Sequence, residues 1–308
     1  MESQPKVSII INCYNGEEFL EETFHSIKNQ TYQNYEIIFY DNNSDDKTAT
    51  IANAFGEKLK YFKSNTLLPL GKARNNALKF VLGEYIAFID ADDLWDSDKL
   101  EKQVDILERN KDVCLVMSNF RTLDMLKNRL IIPKAQKNKK YQFDEFVLNY
   151  AFCLSTFMIR KQCVDKLSKW FDEKLQYAEE YDFFSRMMYM HEAYYIGMPL
   201  ATRRMHKSMN SIKLSTSIPM EHQMTMDNLR EYIPSFDTKY PLLKKRISYL
   251  RDYMDAKIHF TEYGNKTIRS MMKPYIFKEK RALAYYMIAV LPQKLSSKII
   301  KIIYKNHI

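Results

Sequence analysis

Short apolar runs alternate with amphipathic segments along the first two thirds of the chain. The runs at residues 7–11, 35–40, 85–89 and 113–117 are rich in β-branched and aromatic residues, which predicts strands buried on both faces. Between them, apolar residues recur three or four positions apart, which predicts helices. This alternation is typical of parallel βαβ units in an open, doubly wound α/β sheet.

The pattern changes in the second half of the chain. Residues 125–142 are polar and basic and predict an exposed loop, and residues 155–160 predict a strand. A helix is predicted over residues 178–190, followed by a closing strand and a basic loop. From residue 216 the pattern is mostly helical. We therefore predict two domains, an α/β domain at residues 1–215 and a helical region at residues 216–308.

Composition indicates a folded protein, since 46% of the residues are hydrophobic and 28% are charged. The four cysteines (Cys13, Cys114, Cys153 and Cys163) form no CxxC pair, and the first residues do not resemble a secretory signal. These features predict free thiols in a reducing cytoplasm and no zinc site. The longest apolar run, residues 282–291, is shorter than the roughly 20 residues that span a bilayer.

The formal net charge of +9 is concentrated near the end of the sequence. From residue 271 onward there are eight basic residues and one acidic residue, which predicts an anionic partner, either a membrane surface or a nucleic acid. Two stripes occur at helical spacing there, one apolar (Leu295, Ile299, Ile302 and Ile303) and one basic (Lys294, Lys298, Lys301 and Lys305). This favours a helix lying in an anionic membrane interface. The alternative is a terminal helix that packs on the protein and exposes its lysines.

Three carboxylates, Asp90, Asp92 and Asp93, follow the apolar run at residues 85–89 directly. Open α/β sheets bind their ligands at the carboxyl ends of the strands. Close carboxylates repel each other unless a cation lies among them, and a divalent cation carrying substrate phosphates would meet that need. The alternative is a solvated turn that caps the next helix.

Further polar residues are expected at the same edge of the sheet. Tyr14 and Asn15 end the first strand, and Asp41 follows the second. Arg74 and the acids of residues 179–182 would join them in one crevice. A nucleotide diphosphate with Mg²⁺ or Mn²⁺ is the ligand that would use all of these groups. Neither a P-loop nor a GxGxxG motif occurs, so an ATPase site and a dinucleotide site are not supported.

Five stretches in this order carry a family resemblance: VSIIINCYN, YEIIFYDNNSDDKT, GKARNNALKFVLGEYIAFIDADDLW, AEEYDFFSRM and RRMHKSMNS. Together they span about residues 6–211, and the chain is similar to family 2 glycosyltransferases. The resemblance implies the GT-A fold, a Rossmann-like nucleotide-diphospho-sugar transferase fold, followed here by a mostly helical C-terminal extension.

The resemblance also implies residue roles. Tyr14 would stack on the nucleotide base beside Asn15, Asp41 would accept the imide N–H of the base, and Arg74 would contact the nucleotide or its diphosphate. In the Asp-Ala-Asp (DxD) triplet, Asp90 would face the ribose and Asp92 would bind the Mg²⁺ or Mn²⁺. Asp93 would support Asp92, and His206 would help to hold the diphosphate. Glu180 would be the catalytic base that deprotonates the acceptor hydroxyl.

The chain departs from the family pattern at three places. Asn12 stands where the family usually has Pro, and Asn42-Asn43 stands for Asp-Gly. Glu179-Glu180 replaces the usual Glu-Asp pair, so Glu179 and Asp182 remain alternatives to Glu180 as the base. Tyr14 could instead belong to the core, and His206 could be a surface histidine.

The sequence therefore predicts an inverting, metal-dependent hexosyltransferase that takes a nucleotide sugar, with UDP favoured. The acceptor would be a glycan or a lipid-linked glycan in surface-glycan assembly. One sugar is added per encounter, because QxxRW and spanning helices are missing from the sequence. The protein would be cytoplasmic and peripheral on the inner membrane through its basic terminal helix, with no nucleic acid partner. The rival predictions are a sugar-phosphate nucleotidyltransferase, which should carry a Gly-rich loop after the first strand, and a non-catalytic basic module that binds membrane or nucleic acid.

Overall fold

The computed structural model describes residues 5–134, 136–209 and 217–305. The chain divides into two compact units, residues 1–212 and 213–308. The boundary predicted near residue 215 lies outside the described residues. Each unit is considered below by itself.

The described residues of the first unit contain one mixed sheet with the strand order β3-β2-β1-β4-β9-β6-β10-β5. Two short strands lie off this path, where β7 pairs with β6 and β8 pairs with β10. The strands are β1 (Val7–Cys13), β2 (Tyr35–Asp41), β3 (Leu59–Lys63), β4 (Tyr85–Phe88), β5 (Leu94–Trp95), β6 (Val113–Asp124), β7 (Arg129–Ile131), β8 (Lys139–Tyr141), β9 (Met158–Arg160) and β10 (Glu192–Met205).

Helices connect these strands. They are α1 (Leu20–Lys28), α2 (Thr48–Asn53), α3 (Leu70–Leu78), α4 (Lys99–Arg109), α5 (Phe143–Leu148), α6 (Lys161–Val164) and α7 (Glu179–Met190), with a 3₁₀ turn at Leu154–Thr156. The main core packs between α1, α4 and the strands and includes Ile9, Phe24, Phe39 and Leu100. The alternation of strands and helices predicted for the first half is present.

Strands β1, β2 and β4 fix the position of the candidate site. Their side chains are almost entirely buried, as expected for strands covered on both faces. β1 pairs in parallel with both neighbours, so that Val7 lies opposite Tyr35 on one side and Tyr85 on the other. The three strands therefore end at the same edge of the sheet.

Two details of the sheet differ from the prediction. β9 runs antiparallel to both β4 and β6, so the sheet is mixed rather than made of parallel units alone. The interpretation of residues 125–142 as a loop is wrong in part, because β7 and β8 lie in that segment. Both strands have three residues, and pairing with longer strands defines them, so local periodicity could not predict them.

The expectation of free thiols is wrong for two of the four cysteines. Cys114 and Cys163 form a disulfide with a Cα–Cα distance of 6.2 Å, whereas Cys13 and Cys153 are buried free thiols. Cys114 lies on β6 and Cys163 on α6, directly after β9. The antiparallel pairing of β6 with β9 brings them together although 49 residues separate them in sequence.

The second unit is helical in its described part. Its helices are α8 (Ile218–Tyr232), α9 (Phe236–Lys239), α10 (Pro241–Ile258), α11 (Asn265–Met272), α12 (Lys280–Ile288) and α13 (Gln293–Lys305). A separate apolar core includes Phe260, Met272, Tyr285 and Ile300. Among the described residues of both units, every helix is too short or too polar to cross a membrane.

Candidate active site at the carboxyl edge of the sheet

The loop after β4 carries the acidic triplet, and Ser155 holds that loop in place. The backbone N–H of Asp90 donates to Ser155 Oγ at 3.1 Å, and Ser155 Oγ donates to Asp93 Oδ2 at 2.6 Å. Trp95 Nε1 donates to the carbonyl oxygen of Ser155 at 2.8 Å. Both ends of the acidic loop are thus tied to the 3₁₀ turn before β9.

Asp93 is buried, and protein donors occupy both of its carboxylate oxygens. Ser155 takes one oxygen, and the backbone N–H of Arg204 donates to the other at 3.1 Å. Burial raises the pKa of Asp93 well above its usual range, and the nearby charges of Asp92 and Asp90 add to the increase. These contacts give Asp93 a structural position behind the loop and agree with its expected supporting role.

Asp92 and His206 form a pair at the surface of the site. His206 Nε2 lies 2.9 Å from Asp92 Oδ2, and His206 Nδ1 lies 2.7 Å from Ser208 Oγ. The ring also packs on Phe19 with a centroid distance of 4.3 Å. Both side chains keep some exposure, 30% for Asp92 and 12% for His206. A carboxylate oxygen and an imidazole nitrogen therefore face the same partly open space, which makes the pair the candidate cation-binding group.

Arg204, on β10, places His206 beside the acidic loop. Its buried guanidinium donates to the carbonyl oxygen of Asp92 and forms an ion pair with Glu22. It also donates to Thr23 Oγ1 at 2.9 Å. Burial lowers the pKa of Arg204, although these neighbouring acids oppose the change. The end of β10 is thereby fixed against the loop of Asp92 and the start of α1.

Arg74, on α3, lies buried among three carboxylates. It forms an ion pair with Glu179, lies 3.4 Å from Asp90 Oδ1 and approaches Glu180 Oε2 to 4.0 Å. Burial disfavours its charge, but the three carboxylates outweigh burial and raise the pKa of Arg74. Because one guanidinium faces three acids, the group favours retention of a proton on one of the carboxyls.

Among the carboxylates around Arg74, Glu180 has a strongly raised pKa. Tyr150 Oη donates to Glu180 Oε1 at 2.9 Å, and 20% of the Glu180 side chain is exposed. Burial raises its pKa to about 8, Glu179 and Asp90 add to the increase, and Arg74 opposes it. Burial also raises the pKa of Asp90 to about 6, where Asp92 and Glu179 add to the increase and Arg74 opposes it. Such shifted carboxyls in a crevice are typical of acid–base groups.

The alternative bases are engaged elsewhere. Glu179 is 2% exposed and pairs with Arg74, and Asp182 is fully buried beside Arg186 at 2.7 Å. Glu180 is therefore the most accessible carboxylate at the start of α7. The assignment of the base stays a prediction.

The end of β1 and the end of β2 are joined by side chains. Asn15 has left-handed backbone (φ 53°), its N–H donates to Ser44 Oγ at 2.9 Å, and its Oδ1 accepts from the N–H of Asp45 at 3.1 Å. Tyr14, next to it, is 50% exposed, so it does not belong to the core. An exposed ring at this edge could stack on a base, and that role remains a prediction.

Asp41, which was expected to accept the imide N–H of the base, has protein donors on both of its carboxylate oxygens. It is fully buried, and its two oxygens accept from the N–H of Ser44 at 2.7 Å and from Tyr61 Oη at 2.5 Å. In this arrangement Asp41 shapes the loop between β2 and α2. Its direct contact with a nucleotide base remains a prediction.

The structure thus brings Asp90, Asp92, Arg74, Glu180 and His206 together at one edge. Sequence reasoning missed Tyr150 and Ser155, which lie in a segment without a motif, and gave no role to Arg204, which lies in the stretch RRMHKSMNS. Buried carboxylates need hydrogen-bond donors, so the acids indicated that such donors exist. They did not indicate which residues supply them.

Comparison with known proteins identifies the family to which the chain belongs. The family model described as glycosyl transferase family 2 matches residues 8–168, which is more than half of the chain. An uncharacterized glycosyltransferase of Rickettsia typhi is 33% identical over 208 residues, covering 66% of this chain and 64% of that relative. The chain therefore spans less than two thirds of that relative's length.

Two further proteins are similar over large parts of the chain. The UDP-Glc:alpha-D-GlcNAc-diphosphoundecaprenol beta-1,3-glucosyltransferase WfgD of Escherichia coli is 28% identical, covering 56% of this chain and 66% of that protein. The crystal structure of S. aureus TarS 1-349 in complex with UDP-GlcNAc matches with a TM-score of 0.61 at 15% identity, covering 92% of this chain and 90% of that one. At that identity the structural match shows the fold alone, which is the predicted GT-A fold. The family-model match establishes that the chain belongs to glycosyl transferase family 2.

Proposed function

We propose that this protein transfers a hexose from a nucleotide sugar, most simply a UDP-sugar, to a hydroxyl of a glycan or lipid-linked glycan acceptor, with inversion at the anomeric carbon. One observation carries the proposal: the Asp92–His206 pair and the Arg74–Asp90–Glu180 cluster share one edge of the sheet. A cation-binding group and a high-pKa carboxyl are then available to the same substrate. Family membership favours sugar transfer over nucleotidyl transfer and over a non-catalytic module.

Asp92 and His206 are the residues that would hold a divalent cation. Their donor atoms lie 2.9 Å apart and are partly exposed, while Asp93 and Arg204 fix the loop behind them. A carboxylate suits Mg²⁺ or Mn²⁺, and an added imidazole shifts the preference toward Mn²⁺. When bound, the cation would neutralise charge on the leaving nucleoside diphosphate.

The protein's own groups would position the donor. Tyr14 offers a half-exposed ring for the base, and the loop shaped by Asn15 and Asp41 borders the same edge. Asp90 follows β4, which lies on the other side of β1 from β2, and would accept from the ribose. Arg74 adds the positive charge that an anionic donor needs, although most of it is shared with Glu179 and Asp90.

Glu180 would act as the base. Once ionised, its carboxylate accepts the proton of the acceptor hydroxyl while that oxygen attacks the anomeric carbon from the side opposite the leaving group. Tyr150 keeps the carboxylate oriented through its hydrogen bond to Oε1. Arg74, about 4 Å away, stabilises the ionised form.

The second unit supports a lipid-linked acceptor. A cavity of about 770 Å³ is bordered by apolar residues (Ile258, Phe260, Ile300 and Ile302) and by lysines (Lys257, Lys294, Lys298 and Lys301). Apolar walls beside basic side chains suit a lipid phosphate at a membrane surface. The relative WfgD is named for a diphosphoundecaprenol-linked acceptor. We place the protein on the cytoplasmic face of the membrane, where nucleotide sugars are found.

The test is turnover of UDP-, GDP- and dTDP-hexoses with Mn²⁺ or Mg²⁺, with and without chelator. We expect one nucleotide sugar to be consumed in a metal-dependent manner. D92N should lose that turnover by about 10²-fold or more, because the cation loses its carboxylate. D98N is the matched control, since Asp98 lies in the same region but pairs with Lys102 outside the site. Absence of metal-dependent turnover with every donor, or equal loss in D98N, would contradict the proposal.

A further inference from the structure

A second cluster of chemically reactive side chains lies at the opposite edge of the sheet. Cys114 is at the start of β6, His191 immediately precedes β10, and Cys163 is in α6 after β9. β6 runs in the same direction as β4, because both pair antiparallel with β9. The starts of β6 and β10 therefore face away from the candidate active site, which lies at the carboxyl ends.

The three side chains present their ligating atoms to one another. The two sulfur atoms and an imidazole nitrogen of His191 all lie within 4.8 Å of each other. Cys114 is 7% exposed and Cys163 is 1% exposed, so the cluster is largely shielded from water. In the structure the sulfurs are joined as a disulfide, which uses the cysteines and leaves the imidazole unused.

The imidazole is held as a metal ligand would be. His191 Nε2 is buried and has no hydrogen-bond partner in the described part of the chain. The ring also forms a hydrogen bond with the backbone of Cys163. Metal-bound histidines commonly donate their second ring N–H to a backbone carbonyl in this way. Burial lowers the pKa of His191, the charge of Lys166 adds to this, and the hydrogen bond with Cys163 opposes it.

We propose that, in the reduced protein, Cys114, Cys163 and His191 bind one thiophilic divalent cation such as Zn²⁺. Two thiolates and one neutral imidazole match the ligand chemistry of Zn²⁺, with water completing a tetrahedral shell. The two thiolate charges balance the cation, and Nε2 gains the partner that the disulfide form does not give it. The site is separate from the Asp92–His206 pair in position and in ligand type.

Entry to this state requires a dithiol reductant. The reductant gives two electrons and two protons to the disulfide, which becomes two thiols, while the dithiol becomes a cyclic disulfide. Cation binding then releases the two thiol protons to solvent. The disulfide links β6 to α6 under oxidising conditions, and the cation would link both of them to His191 under reducing conditions. The lack of a zinc spacing in the sequence does not oppose the site, because strand pairing rather than sequence proximity assembles it.

Cobalt(II) titration of the full-length chain tests the proposal, because thiolate-to-cobalt charge transfer gives an absorption that carboxylate sites lack. The reduced wild type should show this band and saturate near one equivalent, and the oxidised chain should show none. C163S should lose the band, and H191Q should weaken cobalt binding at least tenfold. C153S, which removes a buried free thiol outside the cluster, should keep it.

A second measurement keeps the test independent of variant folding. Zn²⁺ should raise the melting temperature of the reduced wild type and leave that of the oxidised protein unchanged. Mg²⁺ should not reproduce the increase. A reduced wild type without a charge-transfer band, or a band that H191Q and C163S leave unchanged, would overturn the proposal. An equal Zn²⁺ shift in the reduced and oxidised proteins would also overturn it.

Discussion

Asn43 shows how one departure from the family pattern fits the structure. The resembled family usually carries Gly at this position, and Asn43 has left-handed backbone with φ 70°. Glycine adopts this conformation freely, and asparagine is among the few other residues that tolerate it. The exchange of Gly for Asn therefore preserves the loop between β2 and α2. Asn15, with φ 53°, makes the same use of asparagine at the end of β1.

The raised pKa of Glu180 predicts how transfer depends on pH. Its value of about 8 means that the ionised, base-competent form is a minority at pH 7 and grows as the pH rises. We expect the rate of transfer to a saturating donor to increase through about pH 8, where half of Glu180 is ionised, and to level off above that pH. A cation bound at Asp92 would move this inflection downward, because positive charge favours the carboxylate. The measurement is a pH–rate profile at fixed acceptor concentration.

E180Q should remove both the reaction and the inflection. Loss of the base is expected to lower transfer by about 10²–10⁴-fold, while the affinity for nucleoside diphosphate changes little. E173Q is a suitable control, because Glu173 is half exposed and lies outside the cluster around Arg74. An E180Q protein that keeps a wild-type pH profile would assign the base elsewhere.

The same substitution should change stability in a pH-dependent way. The folded state holds the proton of Glu180 more tightly than the unfolded chain does, so protonation of Glu180 stabilises the folded state at low pH. This stabilisation is lost as the pH rises through about 8. E180Q removes that loss, and one pKa unit corresponds to about 1.4 kcal/mol. We expect urea denaturation at pH 9 to show E180Q more stable than the wild type by at least about 1 kcal/mol. At pH 5 the two proteins should be nearly equal, and a constant difference at both pH values would contradict this origin.

At the scale of elements, the sequence predicted the long, buried strands and missed the short, paired ones. β1, β2 and β4 contain apolar runs whose residues are buried, so burial on both faces could be predicted from the residues. β5 and β8 gain their strand character from β10, which is far away in sequence, and β7 gains its strand character from the nearby end of β6. Their existence is a property of the packed sheet.

The candidate site was predictable to a similar degree. The apolar run of β4 predicted that the acids after it lie at the edge of the sheet. The family resemblance suggested site roles for Glu180 and His206. The direct contact between Asp92 and His206, which are 114 residues apart, depends on β10 returning beside the acidic loop. The part played by Ser155 was not predictable, since a serine in an unremarkable segment becomes important only when the 3₁₀ turn brings it to Asp93.

Helix α13 packs one face on protein and exposes its lysines, as in the second alternative, and its contact with a membrane stays a prediction. Ser296 and Ile300 are buried, and Ile300 belongs to the core of the second unit, so this face packs on protein. Leu295 and Ile302 are about half exposed. Lys294, Lys298 and Lys301 are exposed and have no ion pair within the described ranges. Ile303 and Lys305 of the predicted stripes have side chains outside the described residues.

We expect the three lysines of α13 to govern binding to anionic vesicles. The triple variant K294E/K298E/K301E should reduce pelleting with phosphatidylglycerol vesicles by at least tenfold, since each surface lysine contributes about 1 kcal/mol. Vesicles of phosphatidylcholine should bind weakly in either case. The measurement is sedimentation at low salt with increasing lipid.

A charge-matched control separates a local site from net charge. K79E/K111E/K174E makes the same change in total charge at exposed positions of the first unit. This variant should pellet nearly as well as the wild type. Equal losses in the two triple variants would attribute vesicle binding to overall charge and remove the role proposed for α13.

For the whole molecule, the two units divide the candidate chemistry. The acids, Arg74, His206 and the Cys114–Cys163–His191 cluster all lie within residues 1–212, whereas the cavity lined by lysines lies within residues 213–308. Each unit also has an apolar core of its own. The described side chains of the candidate site therefore belong to the first unit, and the lysines of α13 belong to the second.

This division predicts the behaviour of a shortened chain comprising residues 1–212. It should fold cooperatively and bind UDP with Mn²⁺ within about threefold of the affinity of the full chain, a difference below 1.4 kcal/mol. Pelleting with anionic vesicles should be lost, because the lysines of α13 are removed. Calorimetric titration of UDP into both proteins is the measurement, with D92N in the shortened chain as the control for specific binding. If the shortened chain is folded by circular dichroism but binds UDP more than tenfold more weakly, the second unit contributes to the donor site and the division is wrong.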